Sequence, residues 1–168
     1  MYSLNAPVPP EVSRLAAGLA RELPLADVRT RHSIVVKRLS SPRDDPVASG
    51  TPPRRAREAL REIGAPAVEA RVGRVECFQQ PTSGDRPVAY LAVESPGIRM
   101  LHERLCETFP ALEGLGGEAY IPHVTIARGE GVADLMGREV EPVTWTVDRL
   151  EIWDNDYRET VGAVSLPA

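Results

Sequence analysis

Apolar side chains at Val12, Leu15, Ala16, Leu19 and Leu23 recur at the three-to-four-residue spacing that lines one face of a helix, with Pro9 and Pro10 ahead of them and Pro24 behind. Proline suits a first helical turn, where its missing N–H has no bond to lose, and stops a helix elsewhere. The pattern therefore predicts a helix over 11–23, preceded by a short strand over 2–5 that the proline-rich stretch 6–10 breaks. A second stripe, Ala56, Ala59, Leu60 and Ile63, ends at Gly64 and predicts a helix over 53–63. A third, Ile98, Leu101, Leu105 and Phe109, follows Ser95-Pro96, a capping residue and a helix-starting proline, and predicts a helix over 98–109.

Between these stripes the period drops to two. β-branched Ile34, Val35 and Val36 make 31–39 a strand, followed by a loop-forming stretch that runs to Pro53. Alternation through Val68, Ala70, Val72, Val75 and Cys77, a turn-rich 81–87, and a second apolar run over 88–93 predict a hairpin. Strands are further expected over 120–127, 143–153 and 160–166, with a short helix near 132–136. Three or four helices and about seven strands, joined by hairpins rather than strict alternation with helices, describe an α+β fold with mainly antiparallel sheet. At 168 residues the chain, 1–168, fits one domain or two small lobes sharing a core.

The composition narrows the class. No apolar run reaches the roughly 18 residues of a membrane helix, and the first residues lack the basic start and apolar stretch of a secretory signal, so a cytoplasmic, membrane-free chain is expected. A net charge of −4 argues against nonspecific coating of nucleic acid. Lys37 is the only lysine, so arginine carries nearly all positive charge, including Arg29, Arg31 and Arg38 near one histidine and Arg128 near another. Arginine offers a planar, permanently charged fork for phosphate oxygens. Cys77 and Cys106 have no metal-ligand spacing and read as buried free thiols. Three histidines without a carboxylate cluster leave a metal without ligands, and no cofactor is expected.

The chemistry concentrates in Tyr120-Ile-Pro-His-Val-Thr-Ile-Ala-Arg128. In a strand His123 and Thr125 share one face, leaving Val124 and Ile126 for the core. An imidazole moves protons near neutral pH, and a hydroxyl donates to a phosphoryl oxygen. Phosphoester cleavage needs one proton removed and another delivered, so a second histidine is wanted. Arg31-His-Ser-Ile-Val-Val-Lys37 is a weak echo of the first segment and makes His32 the candidate, with Ser33 as its hydroxyl; His102, inside a helix, is a poor third.

His123-Val-Thr125-Ile126 resembles the second motif of the two-histidine phosphoesterase superfamily, which includes 2'-5' RNA ligase-like proteins and RNA 2',3'-cyclic phosphodiesterases; Arg128 falls where many members carry a basic residue. The resemblance runs along nearly the whole chain in its order of elements. It implies two pseudo-symmetric lobes flanking a central cleft, and metal-independent attack on 2',3'-cyclic phosphates or 2',5' linkages of RNA ends or nucleotides. His32 and His123 would be the acid-base pair, with Ser33, Thr125, Arg128 and Arg31 on phosphate. The chain would act as a monomer. The family pattern is His-x-Thr/Ser in both lobes, and the first lobe departs from it: a histidine at 32 puts Ile34 in the hydroxyl place, whereas Ser33 as the hydroxyl puts Arg31 in the histidine place. A site with Arg31 there would bind phosphate and lack a proton carrier, which is the alternative of a non-catalytic nucleotide- or RNA-binding module.

Overall fold

The computed structural model describes residues 1–39, 50–81, 84–110 and 117–167. In chain order the elements are β1 (Tyr2–Pro7), α1 (Pro10–Ala20), β2 (Ala26–Val28), β3 (Ser33–Leu39), α2 (Pro52–Ile63), β4 (Val68–Phe78), β5 (Val88–Glu94), α3 (Pro96–Cys106), β6 (His123–Gly129), β7 (Glu139–Val147), β8 (Arg149–Asp154) and β9 (Glu159–Ser165). Short 3-10 turns cover Gly117–Ala119 and Val132–Leu135. Each α-helix opens on a proline, the Ser95 hydroxyl accepts the Ile98 N–H at 3.2 Å, and Gly64 closes α2 at a φ of 60° that a side chain would resist.

All strands join one antiparallel sheet in the order β7-β4-β5-β6-β3-β1-β8-β9, with β2 added alongside β6. The fold is thus α+β, and the sheet divides into two halves, β7-β4-β5-β6 and β3-β1-β8-β9. They meet along β6 and β3 at one bridged pair, Val124 with Ile34. One apolar cluster runs beneath both halves: Leu4, Ile34, Leu91, Val124, Ile126 and Ile152 from the sheet pack with Val12, Leu101 and Leu105 from the helices. Complete burial of each such aliphatic side chain stabilises by about 1.5–3 kcal/mol. Gly97 lets the first turn of α3 lie on β4, since a Cβ there would stand 2.5 Å from the Val68 side chain.

Two expectations about strands change. The stretch 143–153 is not one strand: β7 pairs with β4 and β8 pairs with β1, so the chain crosses from one half of the sheet to the other at Asp148. The crossing leaves a trace in the sequence, because the buried positions shift from odd (Val147) to even (Leu150, Ile152). The strand expected over 120–127 begins instead at His123, after Pro122, which has no N–H for a ladder. β2, Ala26-Asp-Val28, is too short to show a periodicity. The predicted loop after β3 falls largely on 40–49, outside the described residues. Among the described residues no helix is long and apolar enough to cross a membrane.

Candidate active site

β6 alternates as its sequence demands: Val124 and Ile126 are fully buried, while His123 and Thr125 turn to the other face and line a cleft of about 220 Å³. Arg128 lines the same cleft. Arg29, Arg38, Phe78 and Val35 join them, and the lining includes no carboxylate among the described residues.

His123 is held by its own chain. Its Nδ1–H donates to the Ile121 carbonyl at 2.7 Å, a tautomer that leaves Nε2 as a lone-pair nitrogen. Phe78 and Tyr90 meet its ring edge-on at centroid distances of 5.1 and 5.3 Å, and they stack on each other at 4.2 Å. Burial pushes the His123 pKa below the ordinary 6.5; the Ile121 bond opposes this, and the nearby Arg38 and Arg29 charges reinforce it. The ring is therefore neutral at neutral pH and able to accept a proton.

The arginines arrive by two irregularities. Between Val28, paired with Ala127, and Ile34, paired with Val124, the β2–β3 side advances six residues while β6 advances three. The extra residues loop out of the ladder. Arg29 stays beside β6 through its N–H to the Ile126 carbonyl at 2.9 Å. In β3 the pairing with β1 slips at Val36: Val35 faces Asn5, yet Lys37 already faces Leu4. This bulge turns Lys37 to the core side, where its Nζ donates to the Pro110 carbonyl at 3.2 Å, and turns Arg38 into the cleft.

The same register decides the first half-site. About the Ile34–Val124 bridge, Ser33 stands in β3 as His123 stands in β6, and Val35 stands as Thr125 does. Neither sequence register, His32 with Ile34 or Arg31 with Ser33, matches this geometry, because 31 and 32 belong to the extra residues ahead of the strand. His32 does not line the cleft; its Nε2 is buried without a hydrogen-bond partner among the described residues, and burial lowers its pKa. Arg31 lies over the Trp153 ring at 3.7 Å, pairs with Glu151 at 3.1 Å and donates to the Ser33 hydroxyl at 3.2 Å. Ser33 also receives the Asn5 amide at 3.3 Å.

His102 reaches the cleft floor but is fully engaged: Nδ1–H donates to the Val36 carbonyl at 2.7 Å and Nε2 accepts the Gly117 N–H at 2.9 Å. It stacks on Tyr120 at 3.9 Å, whose hydroxyl donates to the Val35 carbonyl at 2.9 Å, so the pair braces β3 from outside the ladder. Cys77 and Cys106 are free and half-buried. The role of Arg29, Arg38 and the Phe78–Tyr90 pair was not legible in the sequence; only the arginine bias hinted at it, since their convergence depends on loop and bulge geometry.

The whole fold is similar to the crystal structure of TT0787 of Thermus thermophilus, at 15% identity and a TM-score of 0.64, covering 98% of this chain and 97% of that one. No curated protein sequence matches the chain. The model of the 2'-5' RNA ligase superfamily matches residues 36–159, a stretch that holds β6 with its His123-x-Thr125 motif and the whole β7-β4-β5-β6 half, and of the other half β8 and the end of β3. The chain belongs to the 2'-5' RNA ligase superfamily.

Proposed function

We propose that the protein is a phosphoesterase of RNA or nucleotide ends that hydrolyses 2',3'-cyclic phosphates without a metal ion. The observation that carries this reading is His123, neutral and oriented through Nδ1, beside a hydroxyl and guanidiniums in a cleft without lining carboxylates among the described residues. His123 Nε2 removes a proton from water as the water oxygen bonds to phosphorus. The bond from phosphorus to one ribose oxygen breaks, and that oxygen takes its proton from solvent in the open cleft. Thr125 and Arg128 stabilise the charge that builds on the phosphoryl oxygens.

With Ser33 and Val35 in the first half-site, the leaving oxygen has no imidazole facing it. A strained five-membered cyclic ester tolerates that lack better than an unstrained 2',5' linkage, which releases a poorer leaving alkoxide. Hydrolysis of cyclic phosphates therefore fits the site better than cleavage or ligation at 2',5' linkages. The same observation favours a second reading, a nucleotide- or RNA-binding module that no longer turns substrate over.

The test is incubation of the full chain with a nucleoside 2',3'-cyclic phosphate in the presence of EDTA. Turnover that survives EDTA and disappears in His123→Ala is expected. Binding without any turnover by the wild type would establish the second reading instead, and neither binding nor turnover of nucleotides or RNA ends would refute both.

A further inference from the structure

The cleft carries more positive charge than a cyclic phosphate can use. A 2',3'-cyclic phosphate bears one negative charge, and on the reading above Thr125 and Arg128, which line the same cleft as His123, meet it. Arg29 and Arg38 remain. Neither has a carboxylate partner among the described residues, and other carboxylates are committed elsewhere: Asp27 to Arg86, Glu151 to Arg31 and Arg149, and Glu22 to Arg138. The charge on Arg29 is disfavoured first by burial and then by Arg128, Arg158, Arg38 and Arg31, with no acid opposing them. Holding guanidiniums together in this way is costly in an empty site and is relieved by an anion. The chain as a whole is acidic, so this concentration is local and not a general basic surface.

Both residues are delivered to the cleft by specific backbone features. Arg29 is fixed by its N–H to the Ile126 carbonyl, just before the looped-out residues, and Arg38 is turned inward by the slip at Val36. A strictly alternating β3 would have sent Arg38 to the core side, where its charge has no counterpart.

We infer that Arg29 and Arg38 form a second anion subsite, which takes the phosphate on the 5' side of the terminal nucleotide, so that the preferred ligand is an RNA end with at least two phosphates and not a mononucleotide. This rests on the phosphoester-site reading given above. The subsite explains how one acidic domain selects a chain end: the reacting phosphate sits at His123, and the preceding phosphodiester neutralises the surplus guanidiniums.

Uridine 3'-phosphate and uridine 3',5'-bisphosphate are suitable stable probes, because they differ only in the 5' phosphate. Titration of the full wild-type chain at low salt is expected to give at least about tenfold tighter binding of the bisphosphate, with a steeper fall in affinity as salt rises. In the double variant Arg29→Gln, Arg38→Gln that advantage is expected to shrink to within about twofold while monophosphate affinity changes much less. Equal affinity and equal salt slope of the two probes for the wild type would overturn the subsite while leaving the phosphoester site standing. Loss of both probes in equal proportion in the double variant would also overturn it. Failure of the wild type to bind either probe would remove the phosphoester-site reading itself. The salt slopes are read on the wild type, so the inference stays testable even if the double variant does not fold.

Discussion

The two strands that meet at the centre of the sheet have been put to different uses. β6 presents His123 and Thr125 to the cleft, with an oriented imidazole and a hydroxyl two residues on. At the corresponding places β3 presents Ser33 and Val35, and the space beside Ser33 is organised by Arg31, Glu151, Trp153 and Asn5. One half has the parts for proton transfer and phosphate binding. The other has a polar cluster tied together through Ser33 and Arg31, in which Asn5 Oδ1 is buried without a partner among the described residues, and contributes an arginine, Arg38, from further along the strand. The comparison teaches that a near-symmetric backbone does not enforce symmetric chemistry, because an inserted loop and a bulge redirect the side chains that follow them.

The largest expected effect comes from removing the cleft imidazole that has an uncommitted nitrogen. His123→Ala should lower turnover of a 2',3'-cyclic phosphate by about 10²–10⁴-fold, whereas His32→Ala should leave it within about threefold. Comparable losses in both variants would mean that His32 reaches the reacting phosphate and that the two half-sites are equivalent after all. Next in size is the reverse experiment, which attempts to complete the first half-site. Ser33→His combined with Val35→Thr should raise turnover at least tenfold, with a larger gain on 2',5'-linked dinucleotides, where leaving-group protonation matters more; the gain available to general acid catalysis is about 10²–10⁴-fold. No gain in a folded variant would show that the β3 positions do not mirror those of β6.

Thr125→Val should weaken the phosphate contact by about 1.5–3 kcal/mol, roughly 10–100-fold in kcat/KM, while Val35→Thr alone should change little. An equal response would erase the distinction between the strands.

Titration supplies a further test. Burial is the first cause of the lowered pKa of His32, His102 and His123 alike. Each ring in the folded chain binds its proton less readily than in the unfolded chain, so the unfolded state takes up more protons as the pH drops below about 6.5. Stability should be full above that value and decline as the pH falls toward the folded-state pKa values, measured as a shift in urea midpoint between about pH 7.5 and 5. Activity should follow the neutral form of His123, with kcat/KM levelling off at a lower pH than an ordinary imidazole would give. A rate that rises on acidification would instead assign His123 as the acid. The smallest change tests the scaffold common to both halves: Gly97→Ala forces a methyl against Val68 and should cost about 1–3 kcal/mol in thermal or urea unfolding without altering the preference among substrates.

The amino-acid sequence was enough to place the three helices, because each carries an apolar stripe and a proline or serine start, and to place the β4–β5 hairpin, because its alternation is long. It was also enough to put His123 and Thr125 on one face, since Val124 and Ile126 between and after them demand the core. What needed the tertiary structure was everything set by pairing rather than by period. The split of 143–153 depends on which partner each strand finds, the positions of Arg31 and His32 on residues that leave the ladder, and the inward turn of Arg38 on a one-residue slip against β1. Local periodicity records which face of a strand is buried, but a strand's register is fixed by contacts with residues distant in the chain. For this protein that difference separates a half-site readable from one short run of consecutive residues from a cleft whose arginines converge only after folding.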